Sequence, residues 1–348
     1  MENRLTKEEM QRKIVYLNAI MAALVIWIHT YNIEIYGIRP DSLFNGVVYH
    51  FEEYLHRFEE FCVPFFFMLS AYLFFVNYEL TIETIKRKYV SRFKSLFIPY
   101  LIWNLVGFIY FAFMTHFPPI ASRMNMEPVK LSPLTYLYSL WNVDYNGSLW
   151  YLRNLIIFVI LSPLIYLLVK NRGRLYIGVI TLFLVALYIF LPTTPYLFDR
   201  YDRCIYYLIG AYIAVNHKDI IYRKNEKLGF GLLAACMLLN CYVTANEPLN
   251  FMRITLTIFA VWLLPMDRLM AKEPKWFLQI SFFGYCIHTF ILEVFEKLWL
   301  LVWGYSALAA ILDYIIAPIV TMGLIVLIAG FVKKIMPKTW KVITGARG

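Results

Sequence analysis

His29 sits two residues before the end of the apolar run 14–31, in the stretch AALVIWIHTYNIEIYG. Its side chain changes charge near neutral pH, which suits a general base or proton shuttle. An ionisable group inside an apolar span is by default a functional-site hypothesis. Asn18 stands eleven residues earlier. Eleven residues at 100° each return to within about 20° of three full turns, so Asn18 and His29 share one helix face about 16 Å apart along the axis. Glu34 follows closely enough to orient the imidazole, as carboxylate partners commonly do. The plain alternative places His29 at headgroup depth, at the end of its helix.

Other polar residues carry competing readings. His288 and Glu293, in ISFFGYCIHTFILEVFEKL, are five apart and point to different faces, so a structural hydrogen bond is the preferred role for His288. Arg153, after SLWYL, can snorkel or bind an anion. The run Lys86, Arg87, Lys88, Arg92, Lys94 reads first as a topology signal, and it also suits the phosphates of a cytosolic cofactor. Trp141, Asp144, Tyr145 and Trp150 combine rings with polar groups as sugar sites do, although aromatic belts have the same composition. The sequence lacks a P-loop, a His-Glu-x-x-His helix, a dinucleotide glycine fingerprint and a Gly-x-Ser-x-Gly elbow. The five cysteines form no Cys-x-x-Cys pair and read as packing thiols, so no metal site is expected.

The elements that must hold these groups follow from composition. The 348 residues are 61% hydrophobic and 16% charged, too apolar for a water-soluble domain. Apolar runs near 14–31, 61–78, 95–114, 148–169, 175–191, 201–216, 228–245, 251–266, 277–301 and 312–332 predict an all-α, polytopic membrane protein of about ten transmembrane helices in a single domain, 1–348. The net charge of +10 would suit nucleic acid, but its distribution does not. Of the 33 Lys and Arg, 24 fall at the termini and in alternate connections, including 79–94 and 217–227, and seven fall in the others. Cytoplasmic loops retain positive charge, so both termini are predicted to be cytoplasmic. The long connections 32–60 and 115–147 then lie outside, where connections of that length are usually functional.

Four blocks stand in order: YLNAIMAALVIWIHT, VPFFFMLSAYLFF, the basic segment running into PYLIWN, and SLWYLRNLIIF, with a late Ser-x-x-x-Tyr-x-x-His pattern in ISFFGYCIH. Together they resemble the acyltransferase-3 family of bacterial membrane acyltransferases. The resemblance implies a protein of the bacterial cytoplasmic membrane. It would move an acyl group, usually acetyl from acetyl-CoA, to a hydroxyl or amine of a cell-surface carbohydrate or similar envelope acceptor. His29 matches the family's essential first-helix histidine and would act as general base or acyl carrier, with Glu34 beside it. Arg87, Lys88, Arg92 and Lys94 would take the coenzyme A phosphates, and Asn18, Trp150 and Arg153 would lie on the substrate side. The family commonly has Arg where this chain has Asn18, so another cation must substitute. A multi-helix transporter or flippase of a polar or lipid-linked substrate is the competing class.

Overall fold

The computed structural model describes residues 4–121, 127–170, 204–242 and 248–346. Among these residues the chain is all helical, with no strand beyond one isolated bridge between Arg4 and Arg223. Helices of eight or more residues are α1 (Lys7–Ile28), α2 (Leu43–Glu59), α3 (Cys62–Phe75), α4 (Ile82–Arg92), α5 (Ile98–His116), α6 (Pro133–Asn142) and α7 (Trp150–Ile160). They continue as α8 (Ser162–Val169), α9 (Cys204–Asn216), α10 (Glu226–Leu239), α11 (Pro248–Leu263), α12 (Ser281–Trp303) and α13 (Ala307–Ile335).

Among the described residues, four stretches are long and apolar enough to cross a membrane: Lys7–Tyr36, Leu43–Phe75, Ile82–His116 and Ala307–Ile335. The pair Gly147–Ile160 and Ser162–Val169, bent by 71°, is a fifth if taken as one span. They cover the expected runs 14–31, 61–78, 95–114, 148–169 and 312–332. The runs 201–216, 228–245, 251–266 and 277–301 fall on α9, α10, α11 and α12. The expected span 175–191 lies outside the described residues.

Three segments expected as connections contain helices, 115–147 holding α6 (Pro133–Asn142). Within 32–60, α2 is capped by Ser42 and leads across a two-residue break into α3. Its buried face contains Val48, Glu52 and Glu59, spaced as one helical stripe. Burying carboxylates on that stripe depresses the local hydropathy, which hides the helix from a search for apolar runs. Within 79–94, Thr81 caps α4, and a π-helical turn at Phe93–Phe97 carries it into α5. The basic segment is therefore helical, with Lys86, Arg87 and Lys94 exposed and Lys88 and Arg92 turned partly inward.

α1 begins with a capping box, in which Thr6 and Glu9 each satisfy the other's backbone amide. One turn later Lys13 is fully buried and gives its ammonium to the carbonyls of Trp262 and Leu264, the latter at 2.8 Å. These carbonyls belong to the frayed end of α11, where no intrahelical donor remains and the dipole favours a cation. Beyond the other end of α1, the Asn32 amide donates to the Ala310 carbonyl and to Asp313 Oδ2, both at 3.2 Å, and the Tyr36 hydroxyl reaches the same Asp313 oxygen. α1 is thus held at both ends by partners about 250 to 280 residues away in sequence.

Around α1, the most extensive helix pairing is α3 with α9. A Cβ on Gly210 would fall 2.1 Å from the Met68 carbonyl oxygen, so only glycine allows this approach. The adjoining core is aromatic: Phe67 meets Tyr151 at 4.6 Å, and Phe158 stacks on Tyr207 at 4.3 Å. Replacing Lys13 with Met keeps the stem but leaves the Trp262 and Leu264 carbonyls unsatisfied. Thermal or denaturant unfolding in detergent is expected to show a loss of about 1–3 kcal/mol.

Candidate active site

α1 turns one stripe, Val15, Asn18, Ala22, Val25 and His29, toward a cavity of about 450 Å³. From Val15 to His29 the stripe is about 21 Å long at the helical rise. The opposite walls come from Ser70 and Phe74 of α3, Arg92 at the end of α4, Trp150, Tyr151 and Leu155 of α7, and Ser281, Tyr285 and His288 of α12.

The ends of the cavity differ. The Tyr16 hydroxyl reaches the Lys272 carbonyl in the segment that leads into α12, and the His29 and His288 rings meet about 20 Å further along α1, so α1 and α12 run side by side in the same direction. At the amino-terminal end of α1, the chain around Leu5 bonds to Tyr222, and the Tyr72 hydroxyl of α3 reaches the Lys218 carbonyl in the same segment. Arg92 belongs to this end. Its guanidinium lies 5.6 Å above the ring of Phe74, two residues from Tyr72, with Tyr151 and Tyr207 alongside. The far end is formed by His29, the C-cap of α1, and His288, with ring centroids 5.0 Å apart.

His288 is fully buried. Its Nδ1 lies 2.8 Å from the Tyr285 carbonyl and 3.2 Å from that of Gly284. A carbonyl can only accept, so Nδ1 carries the proton and Nε2 keeps a lone pair. Nε2 has no protein donor and belongs to a ring that lines the cavity. The ring is therefore oriented by its own helix and presents a base to the cavity. Further bonds fix the walls. The Tyr285 hydroxyl donates to the Ser148 carbonyl, Ser148 Oγ donates to Asn146 Oδ1 at 2.7 Å, and Asn146 donates to the Cys286 carbonyl at 3.1 Å. Ser70 and Tyr151 share a 2.9 Å hydroxyl bond across the wall.

Of the residues singled out in the sequence, Asn18, His29, Arg92 and Trp150 line this one cavity. Glu34 is exposed beyond the end of α1 and is not among the lining residues; the ring beside His29 is His288. Arg87 and Lys94 are exposed, and Lys88 donates to the Phe74 carbonyl at 2.6 Å. Arg153 is buried away from the cavity, donating to the Trp141 carbonyl with its guanidinium over the Trp141 ring. The partner that sequence reasoning underrated is His288. Its signal was present: Ser281, Tyr285 and His288 at spacings of four and seven make one helix face, and all three line the cavity. Among the described residues no group of His, Cys, Asp and Glu is placed to hold a metal ion.

An all-helical bundle with spans of membrane length, enclosing a long cavity with a cation at one end and paired imidazoles at the other, defines a membrane enzyme suited to group transfer. Residues 13–330 match the acyltransferase domain of the acyltransferase-3 family, and the chain belongs to that family. It is a membrane acyltransferase. It is 24% identical over 309 residues to the succinoglycan biosynthesis protein ExoH of Rhizobium meliloti (strain 1021), covering 82% of this chain and 79% of that protein. No solved structure matches it.

The tautomer can be tested directly. In protein labelled with ¹⁵N at histidine, His288 is expected to show a protonated Nδ1 and an unprotonated Nε2, and the reverse pattern would refute the orientation derived above.

Proposed function

We propose that this enzyme transfers an acyl group, acetyl in the simplest case, from acyl-CoA to a hydroxyl of a cell-surface carbohydrate or similar envelope acceptor, with His29 as general base. The observation that carries this reading is the single cavity lined by Arg92 at one end and by His29 with His288 at the other. Its length of about 21 Å suits a donor whose phosphates stay near Arg92 while its extended arm carries the thioester toward His29. Asn18 stands where the family commonly has arginine, and Arg92 is the cation that shares the cavity with it. Arg87, Lys88 and Lys94, on the same helical stretch, add a basic approach rather than cavity wall.

In the reaction, the acceptor oxygen attacks the thioester carbonyl as a ring nitrogen of His29 takes its proton. The carbon–sulfur bond then breaks, and the imidazolium returns the proton to the departing thiolate. His288, its ring 5.0 Å from that of His29 and its Nε2 lone pair free of protein donors, stabilises the His29 imidazolium while it carries charge. The frame for this chemistry is ten spans with both termini cytoplasmic, in the bacterial cytoplasmic membrane. Arg92 then faces the cytosolic donor, and His29 lies toward the outer acceptor.

Two substitutions separate the roles. His29→Ala in purified, correctly folded protein is expected to lower acyl transfer by about 10²–10⁴-fold while acetyl-CoA still raises the melting temperature; full activity in this variant would sink the mechanism. Arg92→Gln is expected to raise the KM for acetyl-CoA about tenfold or more with a smaller effect on kcat, because it removes a charge-assisted contact made before the chemical step. An unchanged KM would remove Arg92 from the donor site.

A further inference from the structure

A second, larger cavity lies on the opposite face of α3 from the histidines and plays no part in the mechanism above. Its volume is about 670 Å³, within the range of about 300–1,000 Å³ typical of ligand sites. The walls are apolar and come from Phe65, Met68 and Tyr72 of α3, Ile213 of α9, and Ile258 and Trp262 of α11. The mouth is basic. Arg4, Arg223 and Lys224 line it, and among the described residues no Asp or Glu does.

The mouth is a built feature. Arg4 and Arg223 are paired as an antiparallel bridge, next to the 2.7 Å bond from the Leu5 amide to the Tyr222 carbonyl, so the backbone holds two guanidinium-bearing residues side by side. The same segment is tied to α11 by the Trp262 indole, which donates to the Ile221 carbonyl at 2.9 Å, and to α3 by the Tyr72 hydroxyl on the Lys218 carbonyl at 2.6 Å. Lys224 is occupied by Asp267 at 3.1 Å. Arg4 and Arg223 are exposed and make no ion pair with any described residue. Two like charges fixed beside each other repel unless an anion joins them. An apolar cleft between helices with such a mouth fits a molecule that is anionic at one end and hydrocarbon at the other.

We infer that this cleft binds one anionic phospholipid of the leaflet at the amino-terminal end of the bundle, with its phosphate between Arg4 and Arg223 and an acyl chain along Met68, Ile213 and Ile258. The site is independent of the acyl-transfer cavity. The lipid ties the amino-terminal segment, α3, α9 and α11 together beside the Gly210 contact, and its effect is on the stability of the bundle.

The test uses the full chain in nanodiscs of phosphatidylcholine, with or without phosphatidylglycerol, and reads the thermal midpoint. Phosphatidylglycerol is expected to raise the midpoint by about 2–4 °C. Arg4→Gln/Arg223→Gln should abolish that increment without changing the midpoint in phosphatidylcholine alone. Lys338→Gln/Lys341→Gln, which removes the same charge from exposed positions near the carboxyl terminus, should keep it. Ile213→Trp, which fills the cleft while leaving both arginines, should also lose it. Equal midpoints in the two bilayers would overturn the proposal, as would an increment that survives the arginine or the Ile213 substitution, or one lost equally in the lysine variant. Glycerol phosphate or coenzyme A added to phosphatidylcholine discs should leave Arg4 and Arg223 without effect on the midpoint; a shift that depends on these two residues would make the cleft a soluble-anion site and refute the lipid.

Discussion

The geometry of the cavity shared by His29 and His288 depends on how α1 is pinned. A helix in an apolar bundle gains little from hydrophobic force along its own axis, because neighbouring helices and lipid tails are equally greasy. Its axial register must come from polar contacts. Here the Lys13 ammonium fits into the unsatisfied carbonyls at the end of α11, and Asn32 and Tyr36 close on Asp313 of α13 at the other end. Sliding α1 by one residue would rotate its stripe by 100° and carry His29 away from His288. Two modest sets of hydrogen bonds, both outside the cavity, therefore decide whether the two imidazoles meet.

The second constraint is the close approach of α9 to α3. With no side chain at Gly210, the two backbones touch at Met68, and α3 becomes a partition. One of its faces, with Ser70 and Phe74, looks into the cavity shared with His29 and Arg92. The other, with Phe65 and Met68, looks into the cleft with the basic mouth. Leu69 lines both. α3 thus separates the cavity of the histidines from the cleft with the basic mouth.

The histidine pair is oriented without a carboxylate. A buried carboxylate beside an imidazole would need its own compensation in low dielectric. Tyr285 and Gly284 instead supply backbone carbonyls that the helix already contains, so His288 is oriented without a further buried charge. The exposed position of Glu34 is consistent with that arrangement.

Much of this protein was legible from the chain itself. Helical architecture of membrane length follows from apolar runs, because lipid tolerates no other way of satisfying the backbone than helices or closed barrels. Helical periodicity placed Asn18 with His29 on a single face, since that relation is local and set by 3.6 residues per turn. What periodicity cannot supply is which face meets which. That His288 and not Glu34 stands beside His29, that Lys13 is buried rather than a surface topology charge, and that Arg153 serves the Trp141 backbone all rest on contacts made in three dimensions. The helices at Leu43–Glu59 and Ile82–Arg92 escaped notice for a related reason. Their polar residues look like loop composition until neighbouring helices reveal that one face is packed, and only the tertiary structure decides that.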